Sequence, residues 1–84
     1  MVPDSLPQVV LYAKEGCGLC EKARAVLLAQ QERTPFDLID VDIMSSDELL
    51  KEYGIRIPVV DIDGREEFEV VVDPQVLERR LAGR

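Results

Sequence analysis

The chain has 84 residues, 17 of them acidic, 10 basic and none histidine, for a formal net charge of −7. At that length it is one small domain, able to bury about 60–65% of the surface its unfolded form exposes, and its scattered cations argue against nucleic-acid or anionic-membrane partners. The lack of His excludes Cys-His and Ser-His-Asp nucleophiles and every His-containing metal site; no apolar run approaches the roughly 20 residues of a membrane span, so a soluble, cytoplasmic monomer is expected.

Residues 1–7 read as an extended, flexible leader, because Pro3 and Pro7 each remove a backbone donor and turn their predecessors away from helix. The run Val9-Val10-Leu11-Tyr12 then predicts a strand at about Gln8 to Ala13, apolar enough to be covered on both faces. Gly16 and Gly18 loosen the chain around Cys17. From Leu19, apolar positions at Leu19, Ala23, Val26, Leu27 and Ala29 recur near helical spacing, which predicts a helix to about Glu32, stopped before Thr34-Pro35. Alternation over Phe36 to Ile43 predicts a second strand with Asp37, Asp40 and Asp42 on its wet face. Ser45 or Ser46 is placed to cap a second helix, with Asp47 and Glu48 in its first turn, Leu49, Leu50 and Tyr53 as its buried stripe, and Gly54 at its end. Tyr12 and Tyr53 are read as core aromatics.

A third strand is predicted over Ile57 to Ile62, and Asp63-Gly64 is a hairpin turn into a fourth at about Glu67 to Val72. Asp73 caps a last helix, with Pro74 in its first turn and Val76, Leu77 and Leu81 facing inward. The order β-α-β-α-β-β-α makes residues 1–84 a single α/β domain. A right-handed parallel crossover joins the first two strands and a hairpin the last two, giving one mixed four-stranded sheet flanked by three helices.

Both cysteines fall where the first strand hands over to the first helix. A structural zinc site normally takes four Cys or His ligands, and one chain offers two. Cys17 stands at the helix start, where unpaired N–H groups and the helix dipole can bring a thiol from about 8.5 to about 3.5–7.5. Lys14 adds positive potential while Glu15 and Glu21 subtract from it, so a moderate depression is expected. Cys20 lies one turn further in and is expected to be more buried, hence a resolving thiol.

These residues carry a resemblance. A C-x-x-C in the first βα turn, with Ile57-Pro58 opening a later strand, resembles the thioredoxin fold and, within it, the glutaredoxin-like branch, from Val9 to about Leu81. Lys14, three residues before the first cysteine, is similar to the glutaredoxin pattern, as is Tyr53-Gly54-Ile55-Arg56-Ile57-Pro58-Val59. Thioredoxins proper carry a Trp before the first Cys, a buried acid on the strand below it and an extra N-terminal strand and helix; this chain has no Trp and no carboxylate in Val9 to Tyr12. The resemblance implies a cis Ile57-Pro58 bond, with the Ile57 backbone open to pair with an extended peptide or with glutathione. It also implies a substrate-facing surface made of Lys14, Gly18, Leu19, Ile57, Pro58 and Asp73. Two departures bear on glutathione: Gly18-Leu19 stands where Pro-Tyr is usual, and Val71-Val72-Asp73 where the family carries Gly-Gly and an acid.

The function expected is thiol–disulfide exchange by Cys17 and Cys20 on protein or glutathione mixed disulfides, with no tightly bound cofactor and no metal. Its partners are then a disulfide-bearing protein or glutathione, the latter as a candidate co-substrate. The alternative is a non-enzymatic thioredoxin-fold module, an iron–sulfur or metal carrier or an adaptor; retention of Cys20 favours the enzyme.

Overall fold

The apolar run of the first strand sits at the centre of the molecule because it is paired on both sides. In the computed structural model, which describes residues 6–83, strand β1 (Gln8–Ala13) lies in the order β2-β1-β3-β4 with β2 (Asp37–Asp42), β3 (Val59–Ile62) and β4 (Arg65–Glu69). It runs parallel to β2, with Val9 opposite Leu38, and antiparallel to β3, with Leu11 opposite Val60. Helices α1 (Gly18–Arg33), α2 (Asp47–Tyr53) and α3 (Pro74–Ala82) complete the thioredoxin-like arrangement. Of the leader expected over residues 1–7, residues 1–5 lie outside the described residues, while Pro7 is buried and its carbonyl accepts the Asp37 N–H at 2.9 Å.

Alternation along the strands divides the sheet into two faces. Val9, Leu11 and Ala13 point to one, where they join Val60, Ile62 and Phe68, Cys20, Ala23 and Leu27 of α1, and Leu77 and Leu81 of α3 in a single buried cluster. Leu11, Leu27 and Leu77 are fully enclosed, each worth about 1.5–3 kcal/mol of burial. The other face carries Val10, Tyr12, Val59 and Asp61 and is covered by α2, whose Tyr53 ring stacks on Tyr12 with centroids 4.2 Å apart.

Several local expectations change. The acids of β2 do not share one wet face: Asp37 has the parity of Ile39 and Val41, whereas Asp40 and Asp42 have that of Leu38, and Asp40 pairs with Arg24 of α1. An edge strand leaves both faces partly wet, which blurs the two-residue period. Leu19 is exposed, and the buried positions of α1 are Cys20, Ala23, Leu27 and Gln30; Gln30 donates from Nε2 to Thr34 Oγ1 at 3.1 Å. No residue of α2 is buried and Leu50 is exposed, so the stripe expected there is only half covered.

The fourth strand starts two residues early and stops at Glu69, because Asp63 and Gly64, at φ 52° and 85°, close a two-residue turn that pairs Ile62 with Arg65. Caps fall where the sequence puts them, with Ser46 accepting from Leu49 and Asp73 from Gln75. Gly54 ends α2 for want of space: a Cβ there would lie 2.5 Å from the Leu50 carbonyl oxygen.

Candidate active site

The site lies beyond the carboxyl end of β1. The pairing of Tyr12 with Val59 brings the segment before β3, Ile57-Pro58, alongside the turn that follows β1. That turn delivers Cys17 to the N-cap of α1 in an extended conformation, so its Sγ accepts the Cys20 N–H at 3.2 Å while its carbonyl accepts from Glu21 N at 3.1 Å. A sulfur in this position has negative charge met by the backbone donors that a helix start leaves unpaired. Cys17 is half-buried, whereas Cys20 is 0% exposed; both are free thiols. Burial pushes the Cys20 thiol up to about 11, with the adjacent Cys17 sulfur adding to the rise and the Lys14 backbone and Arg24 opposing it.

The Ile57-Pro58 peptide is cis. Pro58 is fully buried, and Ile57 packs, like Cys17, against the main core cluster. The end of β4 closes on this segment: the Val70 N–H is shared between the carbonyls of Pro58, at 2.7 Å, and Arg56, at 3.2 Å. To reach them Val70 adopts φ 70°. For a β-branched residue that left-handed conformation is an outlier costing on the order of 1–3 kcal/mol, and such a residue persists only where its surroundings over-determine it.

Arg56 supplies much of that determination. Its guanidinium donates to Glu66 at 2.6 Å and Glu69 at 2.9 Å on β4 and reaches Glu52 of α2 at 3.3 Å, while lying over the Tyr53 ring, 5.3 Å from the centroid. Behind it, Asp61 keeps one buried carboxyl oxygen without a hydrogen-bond partner. Burial, then the charge of Glu66, raises its pKa above the ordinary carboxyl value. Burial likewise pushes the Tyr12 hydroxyl up to about 12, with Tyr53 and the Asp61 charge contributing.

The residues expected at the site thus fall into three groups. Cys20 lies in the main core cluster with Cys17 and Ile57 packed against it, and Pro58 is fully buried next to Ile57. Lys14, Gly18 and Leu19 are exposed in the segment that carries the cysteines; Lys14 lines an open cleft of about 170 Å³ with Glu15, Arg24, Asp40 and Asp42, where the three acids outnumber the two cations. Asp73 caps α3: its Oδ1 accepts from Gln75 N at 2.8 Å and Val76 N at 3.3 Å. Sequence reasoning missed Arg56 and Val70. For the first, only the Glu52 pair at i,i+4 is local, Glu66 and Glu69 being 10 and 13 residues away; nothing local marks a valine for positive φ. Among the described residues no group of three or more Cys, Asp or Glu is placed to hold a metal ion.

A C-x-x-C at the start of α1, together with a cis-proline just before β3, the strand paired with β1, defines a redox-type module of the thioredoxin fold. The chain belongs to the glutaredoxin-like domain family (DUF836), whose model matches residues 8–82. An uncharacterised protein of Mycobacterium tuberculosis (strain ATCC 25618 / H37Rv) is 37% identical over 83 residues, covering 93% of this chain and 86% of its own. The solution structure of protein Ne2328 from Nitrosomonas europaea superposes with a TM-score of 0.81 at 28% identity, covering 96% of this chain and 98% of that one. A thioredoxin from Halobacterium salinarum superposes at 0.69 with 23% identity, over 94% of this chain and 74% of its own, and is similar in fold.

Proposed function

We propose that the protein is a dithiol oxidoreductase in which Cys17 attacks and Cys20 resolves. The observation that carries this reading is the asymmetry of the pair: a half-buried sulfur at a helix N-cap, accepting an amide N–H, with a fully buried thiol one turn further in. The two sulfurs differ in access, and in disulfide exchange the accessible sulfur attacks while the enclosed one resolves.

In the first step Cys17 gives its proton to solvent and its sulfur attacks one sulfur of a substrate disulfide. A Cys17–substrate S–S bond forms, the substrate S–S bond breaks, and the departing sulfur leaves as a thiolate that takes a proton. In the second step Cys20 surrenders its proton, its sulfur attacks Cys17 Sγ, and the substrate's remaining sulfur leaves and is protonated. Two electrons have passed from the dithiol to the substrate, which is now fully reduced, and Cys17–Cys20 is a disulfide. A small dithiol or a reduced protein dithiol resets the enzyme, becoming a disulfide itself as Cys17 and Cys20 return to thiols. The protein acts as a monomer in the cytoplasm, where thiols are kept reduced, and needs no tightly bound cofactor.

Cys20→Ser tests the scheme, because it removes the second step and leaves the first. Mass spectrometry of the variant after exposure to cell extract is expected to find a mixed disulfide on Cys17 that dithiothreitol releases. A variant that traps nothing, together with a wild type whose two thiols never join, contradicts the proposal.

A further inference from the structure

The surroundings of Cys17 differ from what a small anionic thiol needs. Such a ligand carries carboxylates, and carboxylates bind to free cations and to unpaired backbone N–H groups. Of those around this site, most beyond the start of α1 are already engaged. The first N–H groups of α3, on Gln75 and Val76, are taken by the Asp73 carboxylate. Arg56 is held by Glu52, Glu66 and Glu69, and Arg24 by Asp40; Lys14 stands exposed, in a cleft where three acids, Glu15, Asp40 and Asp42, outnumber the two cations Lys14 and Arg24. The whole chain carries −7.

What the site does offer is apolar. Val70 keeps a branched side chain at φ 70°, where glycine is the unstrained choice, on the segment hydrogen-bonded to the Pro58 carbonyl. The next residue, Val71, is 64% exposed; Leu19, between the cysteines, is 44% exposed, and Ile55, two residues before Ile57, is 98% exposed. Exposed apolar residues between the cysteines and on the two segments that meet at Pro58, on so acidic a protein, suit contact with a polypeptide better than with a small anion.

We propose that the disulfide taken by Cys17 belongs to a polypeptide with apolar, uncharged or basic residues beside its cysteine, and that Val70 and Val71 select it over glutathione. This rests on the oxidoreductase reading and specifies its substrate. The exchange is the one already written: the Cys17–peptide disulfide forms and the peptide's other sulfur leaves as a thiol. An acidic neighbour on the peptide meets the charge of Glu15 and its companions, whereas an apolar one is covered by Val71 and Leu19.

The test is rapid mixing of the fully reduced protein, without added reductant, with four disulfides: hydroxyethyl disulfide, oxidised glutathione, and two peptide disulfides whose cysteines are flanked by Leu and Val or by Glu. One buried apolar side chain discriminates by about 10-fold or more, so the apolar peptide is expected to react at least about 10-fold faster than oxidised glutathione and than its acidic counterpart. Val71→Asp is expected to reduce that advantage to within about 2-fold, in keeping with loss of the same contact. Val70→Gly, which suits the left-handed backbone, is expected to raise the glutathione rate. Oxidised glutathione reacting as fast as the apolar peptide, or either variant leaving the ratios unchanged, overturns the substrate assignment while the oxidoreductase stands. Failure of every disulfide, the small uncharged one included, overturns the oxidoreductase and the assignment with it.

Discussion

The two faces of the sheet are built differently. Under α1 and α3 lies a closed apolar cluster into which Cys20 is packed as one more small hydrophobe. Under α2 there is little helix to bury anything, and that face is held by the Tyr12–Tyr53 stack, the enclosed Val59 and the Arg56 network, and it carries the unsatisfied carboxyl oxygen of Asp61. The difference teaches a division of tasks. The first face supplies most of the stability and sets the depth of the resolving thiol; the second trades burial for a polar lattice that fixes the segment carrying Ile57, Pro58 and Val70.

Truncating matched leucines separates the two faces most strongly. Leu27→Ala, at a fully buried position, is expected to cost about 2–5 kcal/mol in chemical denaturation, while Leu50→Ala on the exposed part of α2 is expected to stay within about 0.5 kcal/mol. Equal losses contradict the division.

A second effect belongs to Cys20. Its thiol pKa rises from 9.0 to about 11 on folding, so the folded state favours the protonated form. That contribution is complete below pH 9 and disappears as pH climbs through 11, a loss of about 3 kcal/mol. Denaturation of Cys20→Ala across the same range is expected to lack that slope.

Asp73→Ala is expected to cost about 1 kcal/mol through the lost cap of α3. The result also separates cap from ligand role: a purely structural cap lowers the melting temperature without changing the discrimination between disulfides. Smallest of all, Asp61→Asn is expected to stabilise the protein at neutral pH by up to about 1 kcal/mol, since it removes a charge from a carboxyl whose oxygen lacks a partner. Because the folded state raises this pKa, the acid's contribution is whole below its ordinary value of 3.8 and declines as pH rises through the shifted one. The advantage of the amide therefore opens with rising pH and closes in acid, which melting curves at several pH values check.

Much of this was legible in the sequence. The first strand falls on Gln8–Ala13 as expected, the first helix within a residue at each end, and the hairpin turn, the Ser46 and Asp73 caps and the cis Ile57-Pro58 bond all follow from local chemistry or from the family likeness. What escaped depends on distant pairing. The facing of Asp37 against Asp40 is set by an edge strand's partners, the early start of β4 by a turn that consumes only two residues, and the exposure of Leu19 by the demand that Cys20 turn inward. Arg56 is one cation in a chain of acids until folding brings Glu52, Glu66 and Glu69 around it. The left-handed backbone of Val70 is imposed by two carbonyls that lie close to it only in the folded chain.

The central claim is that Cys17 is the attacking sulfur and Cys20 the one held back. It is tested most directly by brief alkylation of the reduced protein with iodoacetamide at neutral pH, with each cysteine quantified by mass spectrometry. With its pKa raised to about 11 and no exposed surface, Cys20 is expected to react at least about 100-fold more slowly than Cys17 and to catch up only above pH 10, because alkylation proceeds through the accessible thiolate. Equal labelling, or Cys20 labelled first, contradicts the account.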